Sequence, residues 1–160
     1  MRKVKIITAD EAAKLVKNGD TVTTSGFVAS AIPEALSKAV EKRFLETGEP
    51  NNLTLVYCGS QGNKDGRGAE HYAHDGMLKR YIAGHWATVP ALVKMALENK
   101  MEAYNVSQGA LCHLFRDIAA HKPGTFTKVG LGTFIDPRNG GGKVNDITKE
   151  DIIELVNIKG

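Results

Sequence analysis

A chain of 160 residues, 42% apolar and 24% charged with a net charge of +3, has the makeup of one soluble globular domain or a piece of a larger one. Lys and Arg are interspersed with Asp and Glu, so no basic stripe for nucleic acid stands out, and nowhere is there the run of ~18 apolar residues that a membrane span needs. The short apolar start runs straight into Asp10 and Glu11, which excludes a signal peptide; the expected location is the cytoplasm, with Cys58 and Cys112 as reduced thiols that lack any CxxC spacing.

Residues 4–7 read as a short β-rich run. "TADEAAKLVKNGD" follows as a helix with Thr8 as N-cap, Glu11 completing a capping box and Gly19 as the stop. "TVTTSGF" is a β-branched strand up to Gly26, and "IPEALSKAVEKRFLETG" is a helix with Pro33 at its start and Gly48 past its end. "LTLVYC" is a near-continuous apolar strand of the kind buried on both faces of a parallel sheet. After the glycine-rich "GSQGNKDGRG", strand and helix recur as "LKRYIAG" with "VPALVKMALENK", then "EAYNVSQG" with "ALCHLFRDIAA". The tail is rich in glycine and ends in "DIIELVNIKG", an apolar strand without a partner, so the chain is expected to stop in mid-fold. The alternation predicts an α/β fold: an open, mainly parallel sheet with helices on both faces, incomplete at its C-terminus.

Several patterns invite chemistry and fail its spacing rules. "GSQGNKDGRG" and "RNGGGK" contain neither Walker A nor GxGxxG, and read as connecting loops. His71, His74, Asp75 and His85 lack HExxH spacing, so no metal site is assigned. Cys112 falls within the apolar pattern of its helix and is expected in the core; Trp86 is expected to pack rather than to line a pocket.

Two stretches place polar groups where open α/β sheets keep their ligands. The Gly26-Phe27 turn, between a strand and a helix, would present free backbone N–H groups to an anion or a developing oxyanion. Ser107-Gln108-Gly109 joins a strand to a helix, and the neutral Gln108 carboxamide would either donate to an oxygen in the same crevice or be satisfied by local backbone.

Taken together, "RKVKIITADEAAKLVKNGDTVTTSGF", "AIPEAL", "YCGSQGNKDGRGAEHYAHDG", "LKRYIAGHWATVPAL", "NKMEAYNVSQGALCHLFRDIA" and "GTFIDPRNGGGKVNDITKED" resemble the family I coenzyme A transferases, most closely the propionate CoA-transferase branch. Relatives acting on 3-oxoacids carry Gly-Gly-Phe-Gly and a further Gly before Ile-Pro-Glu, where this chain has Ser25, Val28 and Ala31. The resemblance implies residues 1–160 as an N-terminal CoA-transferase domain, on a sheet also akin to ribose-phosphate isomerases. It implies transfer of coenzyme A from a short-chain acyl-CoA such as propionyl-CoA to a carboxylate through a glutamyl-CoA thioester. Coenzyme A would be a substrate, with no permanently bound cofactor. Gln108 would be the oxyanion donor, with Gly26, Phe27, Ser107 and Gly109 against the substrate. The nucleophilic glutamate of this family lies in a Glu-(Ser/Asn)-Gly context that is absent here, and neither Glu34 nor Glu70 is assigned in its place. The expected partners are therefore the two substrates and a C-terminal half carrying that glutamate, in an enzyme that is a homo-oligomer when intact. This chain alone is expected to be inactive. The alternatives are a catalytically silent binding or assembly domain of the same fold and, on fold analogy only, a sugar-phosphate isomerase.

Overall fold

A computed structural model describes residues 4–158. Its sheet has four strands, β1 (Thr21–Val22), β2 (Leu53–Tyr57), β3 (Leu78–Ala83) and β4 (Glu102–Asn105), all parallel and in the order β1-β2-β3-β4. The helices are α1 (Ala9–Ala13), α2 (Glu34–Thr47), α3 (Pro90–Leu97) and α4 (Gln108–Ala119), with 3-10 turns at Gly68–Tyr72 and Pro137–Asn139. The predicted parallel α/β architecture is the one observed.

Strand order explains where the helices go. Because each strand is added on the same side of the last, right-handed crossovers deliver every connecting element to one face of the sheet. There Leu53, Leu55, Tyr57, Tyr81, Ala83 and Ala103 pack with Ala39 and Val40 of α2 and with Leu92, Met95 and Ala96 of α3. The opposite face is left to whatever follows β4. It receives α4, through Leu111 and Leu114, and the tail, through Ile152 and Ile153, against Val56, Cys58, Ile82 and Tyr104. The expectation that "LTLVYC" is buried on both faces is therefore half right: Leu53, Leu55 and Tyr57 are buried, whereas Thr54, Val56 and Cys58 are only partly so.

Local signals held at most element ends. Thr8 and Glu11 form the reciprocal capping box of α1. Gly48 is left-handed (φ 74°) and returns its N–H to Phe44 O, closing α2. Pro90 opens α3. Four expectations are corrected. Helix α1 ends at Ala13 with Lys14 as its C-cap rather than running on to Gly19, whose N–H donates to Asn51 O. Residues 4–7 form no strand, with Ile6 95% exposed, because no neighbouring strand offers them a ladder. Strand β1 ends at Val22 rather than at Gly26, since the carbonyls of Thr24 and Gly26 bond to the Gln61 side chain and not to a strand. The described part of "DIIELVNIKG" is likewise no strand; two of its isoleucines fill the second cluster, and residues 159–160 lie outside the described residues.

Candidate functional site at the carboxyl ends of the strands

At the end of β4 the chain changes faces, and α4 must begin directly over the sheet's carboxyl edge. Gly84, just past β3, makes this possible. A Cβ there would lie 2.6 Å from Gln108 Cα and 2.5 Å from Cys58 O, so only hydrogen lets the helix come so close. Ser107 is the N-cap, though its hydroxyl caps nothing, and Gly109 is exposed beside it in the first turn.

The same edge receives the turn that follows β1. A Cβ at Gly59 would meet Gln108 Oε1 and Phe27 Cε2, each at 3.3 Å, so the carboxamide and the ring converge on one point after β2. Phe27 is 57% exposed and Gln108 is exposed. Among the described residues the Gln108 carboxamide has no hydrogen-bond partner, so the alternative of a locally satisfied helix-start glutamine does not describe this side chain. Beside this point opens a cleft of about 360 Å³, lined by residues 23–26, Cys58, Gln61 and Phe115. Gln108 flanks that cleft across Gly59 rather than lining it.

The Gly26-Phe27 turn departs from expectation. Phe27 N–H donates to Ser30 O (3.0 Å) and Val28 N–H to Ser60 O (3.3 Å), so neither is free for an anion. The turn reverses so tightly that it bonds to itself, with Ser30 N–H returned to Phe27 O. What it offers the cleft is the Gly26 backbone and, across Gly59, the Phe27 ring.

Gln61, which sequence reasoning passed over as part of a connecting loop, is the residue that holds this turn. It is 3% exposed; Nε2 donates to Thr24 O (2.6 Å) and Gly26 O (3.3 Å), and Oε1 accepts from Thr24 Oγ1 (2.6 Å). The available signal was an amide side chain between two glycines of a loop following a buried strand.

The carboxylates near the site are already engaged. Glu34 contacts His71 Nε2 (2.9 Å) and accepts from Gly68 N–H (3.0 Å). Burial alone would raise the Glu34 pKa, but His71 and that N–H hold it below the ordinary value. Glu41 bridges His71 Nδ1 (2.6 Å) and His74 Nε2 (2.7 Å), so these histidines serve carboxylates. Buried Glu70 accepts from Gly66 N–H (2.9 Å) and from Ala91 N–H (3.0 Å) in the first turn of α3. Trp86 packs edge-on against Tyr81 at 4.5 Å, as expected. Cys112 does not lie in the core: it is exposed on α4, with its thiol beside that of Cys58. Both thiols are free, and burial with the neighbouring Cys112 thiol pushes the Cys58 pKa up to about 11. No helix among the described residues is long and apolar enough to cross a membrane.

A parallel sheet whose carboxyl edge bears a glycine turn, an exposed amide and an open cleft defines a crevice-type α/β protein. Residues 6–159 match the family model described as coenzyme A transferase. The chain is 40% identical over 156 residues to a caffeate CoA-transferase of Acetobacterium woodii, covering 98% of this chain and 30% of that protein. It is 37% identical to the acetate CoA-transferase YdiF of Escherichia coli K12, covering 96% of this chain and 29% of that one. Among solved structures, the acyl-CoA transferase YdiF of E. coli O157:H7 in a thioester complex with CoA superposes with a TM-score of 0.87 at 35% identity, over 95% of this chain and 30% of that one. The chain belongs to the coenzyme A transferase family. It spans about 30% of the length of these relatives.

Proposed function

We propose that this chain supplies the oxyanion side of a short-chain acyl-CoA:carboxylate CoA-transferase, with Gln108 as the donor. The observation that carries the reading is the Gln108 carboxamide itself: exposed, without a hydrogen-bond partner among the described residues, and held at the sheet's carboxyl edge by the close approach of α4 to Gly84. A donor left unspent in the folded protein is available to an oxygen that develops charge.

In the reaction proposed, a glutamate carboxylate from a C-terminal half attacks the thioester carbonyl. The tetrahedral adduct places negative charge on oxygen, to which the Gln108 amide donates. Collapse breaks the C–S bond, leaving an acyl-glutamyl anhydride and CoA thiolate. The thiolate then attacks the glutamyl carbonyl and releases the first carboxylate, giving glutamyl-CoA; an acceptor carboxylate reverses the sequence. Propionyl-CoA is the proposed acyl donor, after the sequence resemblance. The engagement of Glu34 by His71 and of Glu70 by two backbone N–H groups supports a nucleophile supplied from elsewhere. The same fact favours, as the second reading, a silent assembly domain.

Turnover of the completed enzyme separates the two, and one variant tests Gln108. In the enzyme completed with a half bearing Glu-(Ser/Asn)-Gly, Gln108→Ala is expected to lower kcat about 10²-fold or more, with KM and melting midpoint little changed. Near-normal kcat would remove Gln108 from the chemistry, and no turnover by the completed wild type would favour the silent domain.

A further inference from the structure

The wall that faces Gln108 is built from unfavourable backbone. Gly26 has φ 125°, and two residues that carry side chains, Val28 (φ 55°) and Ala31 (φ 56°), lie in the left-handed region that a β-branched valine strongly disfavours. Such a turn persists only if its surroundings over-determine it. Beyond its own Phe27–Ser30 bonds, its ties run to residues 60–62. Val28 N–H donates to Ser60 O (3.3 Å), Gly62 N–H to Val28 O (2.9 Å), and the Gln61 amide spends both its ends on Thr24 and Gly26.

That anchor is itself tied down. The Gln61 carbonyl accepts Ala69 N–H at 2.7 Å, and a Cβ on Gly68 would lie 2.4 Å from the same oxygen, so the 3-10 turn is pressed against it. Ser60 Oγ donates to the His85 carbonyl, tying the loop to the residue after Gly84. One loop thus reaches both walls of the site.

We infer that Gln61 is a positioning residue for the transfer reaction, fixing the Thr24–Gly26 backbone and through it the Phe27 wall opposite Gln108. The inference rests on the transferase reading for its kinetic consequence and on geometry alone for the mechanical one. A leucine at 61 would fill similar volume yet leave the Thr24 and Gly26 carbonyls and the Thr24 hydroxyl without this partner. The strained turn would then relax, and the crevice would lose its shape for the transition state more than for bound substrate.

The test pairs two readouts. In the 160-residue chain, Gln61→Leu is expected to speed amide exchange at Phe27 and Val28 about tenfold or more, with Leu55 and Tyr81 in the sheet unchanged. In the completed enzyme the same change is expected to lower kcat about tenfold at near-constant KM. With Gln108→Ala already present, it is expected to cost clearly less, because coupled residues are not additive. Exchange at residues 27–28 unaltered, or full additivity with Gln108→Ala, would overturn the inference. Should Gln61→Leu fail to fold, Thr24→Val, which removes the hydroxyl donor to Oε1 together with its longer contact to Tyr57 OH (3.4 Å) and leaves both carbonyl bonds in place, is expected to give the same signs in smaller measure, and no change there is equally fatal. If the completed wild type shows no turnover, the transferase reading fails, and the exchange result still decides whether Gln61 holds the turn.

Discussion

The two faces of the sheet are built to different standards. On one, α1, α2 and α3 bury Leu53, Leu55, Tyr57, Tyr81 and Ala83 in the larger of two hydrophobic clusters. On the other, a single helix and an irregular tail cover Val56, Cys58 and Ile82 incompletely. The asymmetry follows from strand order, since all crossovers fall on one side and the last helix alone returns across the other. It separates tasks: the well-covered face supplies stability, and the thinly covered one carries α4, whose first residue is Gln108.

The largest effect expected from this contrast is a difference in truncation cost. Leu55→Ala, on the covered face, is expected to destabilise by roughly 2–5 kcal/mol, as for other fully buried leucines. Ile82→Ala, on the opposite face and only partly buried, is expected to cost well under half as much, because part of its surface already meets solvent. Urea unfolding of both variants tests this, and equal costs would mean that the second face is packed as firmly as the first.

Gly84→Ala comes next and attacks the junction between the faces. Its methyl carbon would lie 2.5 Å from Cys58 O and 2.6 Å from Gln108 Cα, both backbone atoms that cannot swing aside. The start of α4 must lift, at a cost of about 1–3 kcal/mol. A melting midpoint within 1 °C of the parent, which this cost does not allow, would refute so close an approach. If Gln108 is the oxyanion donor proposed above, the lifted helix is also expected to displace it and lower kcat in the completed enzyme.

Elements governed by local chemistry were legible in the sequence. The Thr8–Glu11 capping box, Gly48 past the end of α2 and Pro90 at the start of α3 each follow from groups within a few residues of one another. What could not be read depends on contacts between distant residues. Residues 4–7 have β-type composition but no strand to pair with, which composition alone does not reveal. The Phe27 N–H was expected free because its partner, Ser30 O, is reached only when the turn doubles back through left-handed residues that bear side chains. Gln61 acts 37 residues from Thr24, so its role is invisible until β1 and β2 are paired. The position of Gln108 could be read, since a strand-to-helix junction in a parallel sheet falls at the carboxyl edge; its freedom from local partners could not.

The smallest effect concerns two thiols on the thin face. Burial and the Cys112 thiol raise the Cys58 pKa to about 11, whereas Cys112 stands exposed on α4. Thiolate is the form that alkylates, and the upward shift leaves Cys58 with less of it than an ordinary thiol has at pH 8. Iodoacetamide is therefore expected to modify Cys112 first, with Cys58 following at least tenfold more slowly, and in urea the two rates should converge. The sign of the linked stability effect is fixed by the direction of the shift. An acid whose folded pKa lies above its unfolded value of about 8.5 contributes stability that is complete below that value. That contribution is lost as pH rises toward about 11. Cys58→Ala should flatten this alkaline loss. Equal alkylation rates in the folded protein would show that Cys58, a lining residue of the open cleft, gains no protection from its burial or from the Cys112 thiol, and the second face would then be more open still than its packing indicates.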